Sequence, residues 1–108
     1  PPTIFKETAE VENSLISNGC IIEGKIINSV LSRGTIVEKD VVLEECVILQ
    51  DCHIKAGSHL KNVIVDKNNI IHENEKLSAS EEYPLVIEKG MKWNTKEYKD
   101  LMDYIKNK

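Results

Sequence analysis

Cys46, Cys52, His53 and His59 lie close together in the middle of the chain and are the residue types that hold zinc. Their spacing argues against a shared ion. Cys46 and Cys52 are six apart, as are His53 and His59, so if six is a structural period each pair belongs to similar corners on different faces. Together with His72, the two histidines also have the chemistry of a general base that takes a proton from an acceptor hydroxyl or amine. Arg33 is the single arginine. It offers a planar, bidentate contact for a phosphate, and Lys39 offers a point charge. No nucleophile triad, phosphate-cradling glycine loop or paired carboxylate is visible. What these side chains can do therefore depends on the elements that carry them.

A period of six is present. From Ile36, steps of six meet Ile36, Val42, Ile48, Ile54 and Leu60, all aliphatic, and two residues before each stand Gly34, Asp40, Cys46, Cys52 and Ser58. One aliphatic residue per short strand and a compact residue per corner is the signature of hexapeptide repeats, in which three hexads close one turn of a left-handed parallel β-helix. A longer repeat supports it. Asn13-Ser14-Leu15-Ile16-Ser17 recurs as Asn28-Ser29-Val30-Leu31-Ser32, then as Glu45 to Leu49 and Lys61 to Val65, at offsets of 15, 17 and 16. Full turns would take 18, so shortened corners are expected. Upstream, Val11, Ile16, Ile21, Ile26 and Leu31 run in fives; downstream, Val65, Ile71 and Leu77 return to six. We expect about four coils, with the regular register between Ile36 and Leu60. A sandwich would need hairpin turns between longer strands, and only Asn18-Gly19 has that form.

The chain divides into a β-helix over 1–90 and a helical extension over 91–108. Ser78 to Tyr83 reads as a polar linker, and Pro84 to Gly90 as a last strand and turn. Beyond it, Asn94 and Glu97 have capping-box spacing, and Tyr98, Leu101, Met102 and Ile105 share one face of a short amphipathic α-helix. Lys106 and Lys108 favour the negative end of its dipole. The apolar stripe is expected to cap an open end of the β-helix or to pack on its side, unless it meets a partner.

Composition excludes several classes. A net charge of −4 and one arginine give no basic face for nucleic acid. No apolar run approaches the ~20 residues that span a bilayer, and the N-terminus lacks the plan of a secretory signal. Three cysteines without a dense framework fit reduced thiols in a cytoplasmic setting. A start at Pro1-Pro2 without methionine leads us to expect a longer parent polypeptide.

In order, Pro1-Pro2-Thr3, Asn13 to Gly24, Asn28 to Gly34 and Asn62 to Asn68 resemble the C-terminal β-helix domain of bacterial glucose-1-phosphate adenylyltransferase (ADP-glucose pyrophosphorylase). The resemblance covers roughly residues 1–90. Val47-Ile48-Leu49-Gln50 and Asn62 to Asn68 look more like the GlgD-type regulatory subunit than the catalytic one, and the helix from about Thr95 lies outside the likeness. The resemblance implies a parent that makes ADP-glucose from ATP and glucose 1-phosphate for glycogen synthesis, with its chemistry, and its Mg2+, in an N-terminal nucleotidyltransferase domain absent here. It implies that this domain contacts that N-terminal domain, assembles tetramers with a catalytic subunit, and helps to bind effectors, without catalysis or a cofactor of its own. Sugar-phosphate effectors would then meet Arg33, Lys39 and Lys89, the last in a region that touches effectors in similar enzymes. Two other readings stay open. One is a hexapeptide acyltransferase using His53, His59 or His72, against which stands the lack of a long inserted loop to enclose an acceptor. The other is an isolated β-helix adaptor that binds through its C-terminal helix.

Overall fold

The computed structural model describes residues 1–88 and 95–107, the side chains of 95–97 excepted. Fifteen short strands follow one another in five stacked levels. The first level is β1 (Ile4–Phe5), β2 (Glu10–Glu12) and β3 (Leu15–Ile16), and the second is β4 (Ile21–Ile22), β5 (Lys25–Ile27) and β6 (Val30–Leu31). The third is β7 (Ile36–Val37), β8 (Val42–Glu44) and β9 (Val47–Ile48), and the fourth is β10 (His53–Ile54), β11 (His59–Lys61) and β12 (Val63–Val65). The fifth is β13 (Ile70–Ile71), β14 (Lys76–Ser78) and β15 (Leu85–Ile87), after which comes α1 (Thr95–Lys106).

Each strand pairs in parallel with its counterpart one level away, giving three five-stranded sheets. Sheet A is β1-β4-β7-β10-β13, sheet B is β2-β5-β8-β11-β14, and sheet C is β3-β6-β9-β12-β15. The result is a three-sided parallel solenoid with four full turns between the first and fifth strand of each sheet. The backbone pairs from level to level, as in Ile21 N–H to Thr35 O at 3.0 Å and Val42 N–H to Ser58 O at 2.9 Å. No hairpin is needed, which is why the chain manages with so few hairpin signals. No helix among the described residues is long and apolar enough to cross a membrane.

The interior is a column of aliphatics. Sheet A contributes Ile22, Val37 and Ile54, sheet B Ile26, Leu43 and Leu60, and sheet C Leu31, Ile48 and Val65, all essentially without solvent contact. Of the positions met in steps of six, Ile48, Ile54 and Leu60 point inward but Ile36 and Val42 do not, and in the run of fives Ile21 does not; their neighbours Val37, Leu43 and Ile22 point in instead. The reason is a fixed corner. From sheet B to sheet C the inward positions are five apart (Leu43 to Ile48, Leu60 to Val65), so counting in sixes across that corner slips by one, and one residue reverses a strand's facing. The same slip affects the long repeat: Val47 pairs with Ile64, so Glu45 corresponds to Asn62, not to Lys61, and the third offset is 17.

The second level is the shortened one. Its passage from sheet A to sheet B takes four positions, Ile22 to Ile26, where the next level takes six. Gly24 makes that possible, because a Cβ there would stand 2.5 Å from the carbonyl oxygen of Val41 in the level beside it. At the far end the fifth level carries extra residues, which form the bend at Glu81–Tyr83, and β15 then adds the expected last strand beside β12. Gly90, Lys108 and the capping-box pair Asn94 and Glu97 lie outside the residues or side chains described.

Candidate functional site

The corners are built on backbone that L-residues rarely adopt. Between sheets B and C stand Asn13, Asn28, Glu45 and Asn62, with φ between 45° and 54°. Between C and A stand Gly19, Gly34, Asp51 and Asn68, and between A and B stand Asp40, Gly57 and Asn74, again with positive φ. Asparagine, aspartate and glycine tolerate this region; glutamate does so less readily. Just inside the corners sit small buried residues such as Ser29 and Thr35. The cysteines belong to this set. Cys46 Sγ donates to the carbonyls of Leu60 and Glu44, both at 3.3 Å, and Cys52 Sγ to that of Asp66 at 3.0 Å. Burial pushes the Cys46 thiol up to about 12 and raises that of Cys52, so both stay protonated. Cys46 precedes sheet C and Cys52 precedes sheet A, so the six-residue spacing places them on different faces. Among the described residues no three His, Cys, Asp or Glu groups gather closely enough to hold an ion.

The three histidines are also distributed. His53 points outward from sheet A, His59 outward from sheet B, and His72 lies at the corner after β13. His53 has a strong partner. Its Nε2 contacts Glu38 Oε2, while Glu38 Oε1 accepts the Ala56 N–H at 3.0 Å. The hydrogen bond to His53, with the Ala56 amide and the charge of Lys55, holds the Glu38 carboxyl below its usual range despite some desolvation.

Arg33 and Lys39 are exposed and sit at opposite edges of sheet A. Arg33 precedes Gly34 at the C-to-A corner, where an open depression is lined by Pro1, Asn18, Gly19, Arg33, Gly34 and Asp51. Lys39 precedes Asp40 at the A-to-B corner, and its carbonyl accepts the Gly57 N–H at 3.1 Å. With β7 between them, the two cations border one face without converging on one pocket. Lys89 lies outside the described residues.

The faces themselves differ in a way that the search for reactive side chains misses. Sheet B presents mixed charge and polarity, including Glu10, Lys25, Glu44 and Lys61. Sheet A presents Ile4, Ile21, Ile36, His53 and Ile70 in register, one per level; Ile4 is 52% and Ile70 54% exposed. The sequence signal is the aliphatic doublet: Ile21-Ile22, Ile36-Val37 and Ile70-Ile71 each put one residue in and one out. Sheet C presents an equally apolar ladder, but α1 lies across it. Tyr98, Met102 and Ile105 are buried against Val47 and Ile64, with Val30, Leu49, Val86 and Leu101 around them. The helix therefore packs on the side of the solenoid, and the stripe that suggested a partner is spent on the chain itself.

The chain is similar to glucose-1-phosphate adenylyltransferase of Bacillus cytotoxicus, 54% identical over 39 residues, which are 36% of this chain and 10% of that protein. The enzyme of the same name from Thermosipho melanesiensis is 46% identical over 43 residues, 40% of this chain and 10% of the relative. That of Bacillus thuringiensis strain Al Hakam is 51% identical over 39 residues, again 36% and 10%. Each match spans about a tenth of the curated relative. The family model described as GlmU-like, C-terminal hexapeptide matches residues 3–83, from just before the first strand to the bend before the last, and the chain belongs to that family.

Proposed function

We propose that this chain is the β-helix domain of a glucose-1-phosphate adenylyltransferase subunit, of the GlgD regulatory type, and that it serves assembly and effector response, not catalysis. The observation that carries the reading is the outer ladder of sheet A. Four isoleucines in register make a flat apolar face, which suits packing against another domain better than holding a small substrate. Its natural occupants are the N-terminal nucleotidyltransferase domain of the same parent and, in a tetramer, a catalytic partner subunit in the cytoplasm. On this reading the place of Mg2+ is the catalytic domain. Arg33 and Lys39, at the two edges of the face, are the cations we assign to phosphate-bearing effectors met at that boundary, and Lys89 is a third cation we assign to effectors.

Co-expression of the full-length parent with a catalytic subunit tests the reading. ADP-glucose synthesis should respond to sugar phosphates, and Arg33→Ala, Lys39→Ala or Lys89→Ala should raise the effector concentration that gives half the response. A parent with no nucleotidyltransferase domain, or a complex indifferent to this subunit, would sink it. One observation favours a second reading. The His53–Glu38 contact pairs a base with an orienting acid, as an acyltransferase would need. Acetyl-coenzyme A turnover lost in His53→Ala would establish that activity, and its absence in the wild-type chain would dismiss it.

A further inference from the structure

The buried apolar residues fall into two groups that share no member. One fills the solenoid, from Cys20 and Ile22 to Ile71, and contains no residue of α1. The other, among the described residues, joins Tyr98, Met102 and Ile105 to side chains that point outward from sheet C and beside it. A solenoid level needs its neighbours above and below for stability, and nothing in the first group needs the helix. Elements joined to a fold through a separate, smaller cluster open at lower free energy than the rest.

The polar contacts around the helix are specific. In the corner ladder between sheets B and C, Asn13 Nδ2 donates to Asn28 Oδ1 at 2.7 Å, and Asn62 Nδ2 donates to the carbonyl of Ala79 at 2.8 Å. Between them, at φ 53°, Glu45 stands where the ladder has asparagine. Its carboxylate accepts from Lys106 Nζ at 2.7 Å, and Glu81 accepts from the same ammonium at 2.9 Å. The Tyr98 hydroxyl shares its proton between the carbonyl of Glu45, at 2.5 Å, and Asn62 Oδ1, at 2.7 Å. Asn13 Nδ2 also donates to the carbonyl of Ile105 at 3.0 Å. The ladder thus departs from its own pattern at the level that meets both Tyr98 and Lys106. These two side chains lie eight residues apart, or about 12 Å along a helix.

We propose that the outer face of sheet C, with the Glu45 corner beside it, is a binding site for an amphipathic helix, and that α1 is its releasable ligand. Recognition takes the helix-in-groove form. The apolar ladder receives Met102 and Ile105, the Glu45 carbonyl and the Asn62 amide oxygen read a phenol, and the Glu45 and Glu81 carboxylates read a lysine two turns further on. This site stands apart from the sheet A face and does not depend on the enzyme reading.

Hydrogen exchange on the full chain tests the proposal. The α1 amides should exchange faster than those of the inner strands of sheets A and B. Glu45→Asn should then affect the two groups differently. Losing the pair with Lys106 should speed α1 exchange by about fivefold at most, while asparagine, easier at positive φ, should leave the strands unchanged or slower. As a second arm, a labelled peptide of residues 95–107 should bind the full chain carrying Met102→Lys, whose own helix is loosened, and bind the wild-type chain far more weakly. The strand amides of that variant report whether its solenoid is intact. Exchange of α1 and strands as one unit, a shift of both in the same direction in Glu45→Asn, or no peptide binding to an intact Met102→Lys chain would each overturn the proposal.

Discussion

Single residues decide where this solenoid can bend. Gly24 lies at the shortened corner with backbone, not a flexible side chain, in front of it, so Gly24→Ala must push Val41 and Glu38 aside. Overpacking against backbone costs about 1–3 kcal/mol, and urea unfolding should show a loss of that size. Gly57 is a useful contrast. The group nearest a Cβ there is the side-chain end of Asn74, and φ is +78°, so Gly57→Asn can move its neighbour and accept the conformation, and it should stay within about 1 kcal/mol of wild type. Glu38 sets a pH dependence. Its carboxyl is held low by His53, the Ala56 amide and Lys55. A depressed folded value contributes stability that is in place above the ordinary carboxylate range and is lost as pH falls through the depressed one. Unfolding curves from pH 6 to pH 2 should therefore be flatter for Glu38→Gln than for wild type. Parallel curves would show that the contact contributes nothing to folding.

At the level of elements, some of this organisation is legible in the sequence and some is not, for physical reasons. The β-solenoid shows itself because one aliphatic per short strand survives every irregularity of the corners. Its facing does not, because Ile36 and Val37 are both aliphatic, and a strand apolar on both sides carries no contrast between in and out. Reading Ile36 as inward conceals the face that it helps to build. Helix α1 is visible from Tyr98, Leu101, Met102 and Ile105, whose spacing fits only a helix, but a stripe does not say which of three faces it will cover. Arg33 and Lys39 are recognisable as cations, but not the strand that holds them apart. The contacts of α1 carry their own prediction. Hydrogen bonds to Glu45 and Glu81 raise the Lys106 ammonium above its ordinary value, and burial beside Cys46, Glu45 and Glu81 raises the Tyr98 phenol. Raised folded values give stability that is complete below the ordinary ones and lost as pH rises through them. Helical circular dichroism should thus fall at alkaline pH before the β signal does. Simultaneous loss of both would mean that the pairs do not hold the helix.

Across the whole molecule, three sheets of identical construction face three different environments. Sheet B carries charge and polarity suited to water, sheet C is covered by the chain's own helix, and no described element covers the isoleucines of sheet A, of which Ile4 and Ile70 are exposed and Ile21 and Ile36 half-buried. Phe5 and Val11 of the first level are inward by register, yet 55% and 42% exposed. A face of five strands at about 4.8 Å spacing is roughly 20 Å tall. Two such faces pressed together bury less than the ~1,600 Å² of a standard interface. The patch therefore suits a domain already tethered to it, whose contacts need not offset the cost of association from solution. Ile21→Lys combined with Ile36→Lys tests this directly. Neither side chain reaches the interior, so the isolated chain should melt within a few degrees of wild type. On the proposed function, the same pair in the full-length parent should release the solenoid from the rest of the subunit, seen as faster proteolysis between the two parts. On the same reading, a parent that keeps its protease resistance with two lysines on this face would show that sheet A packs against no other part of the subunit.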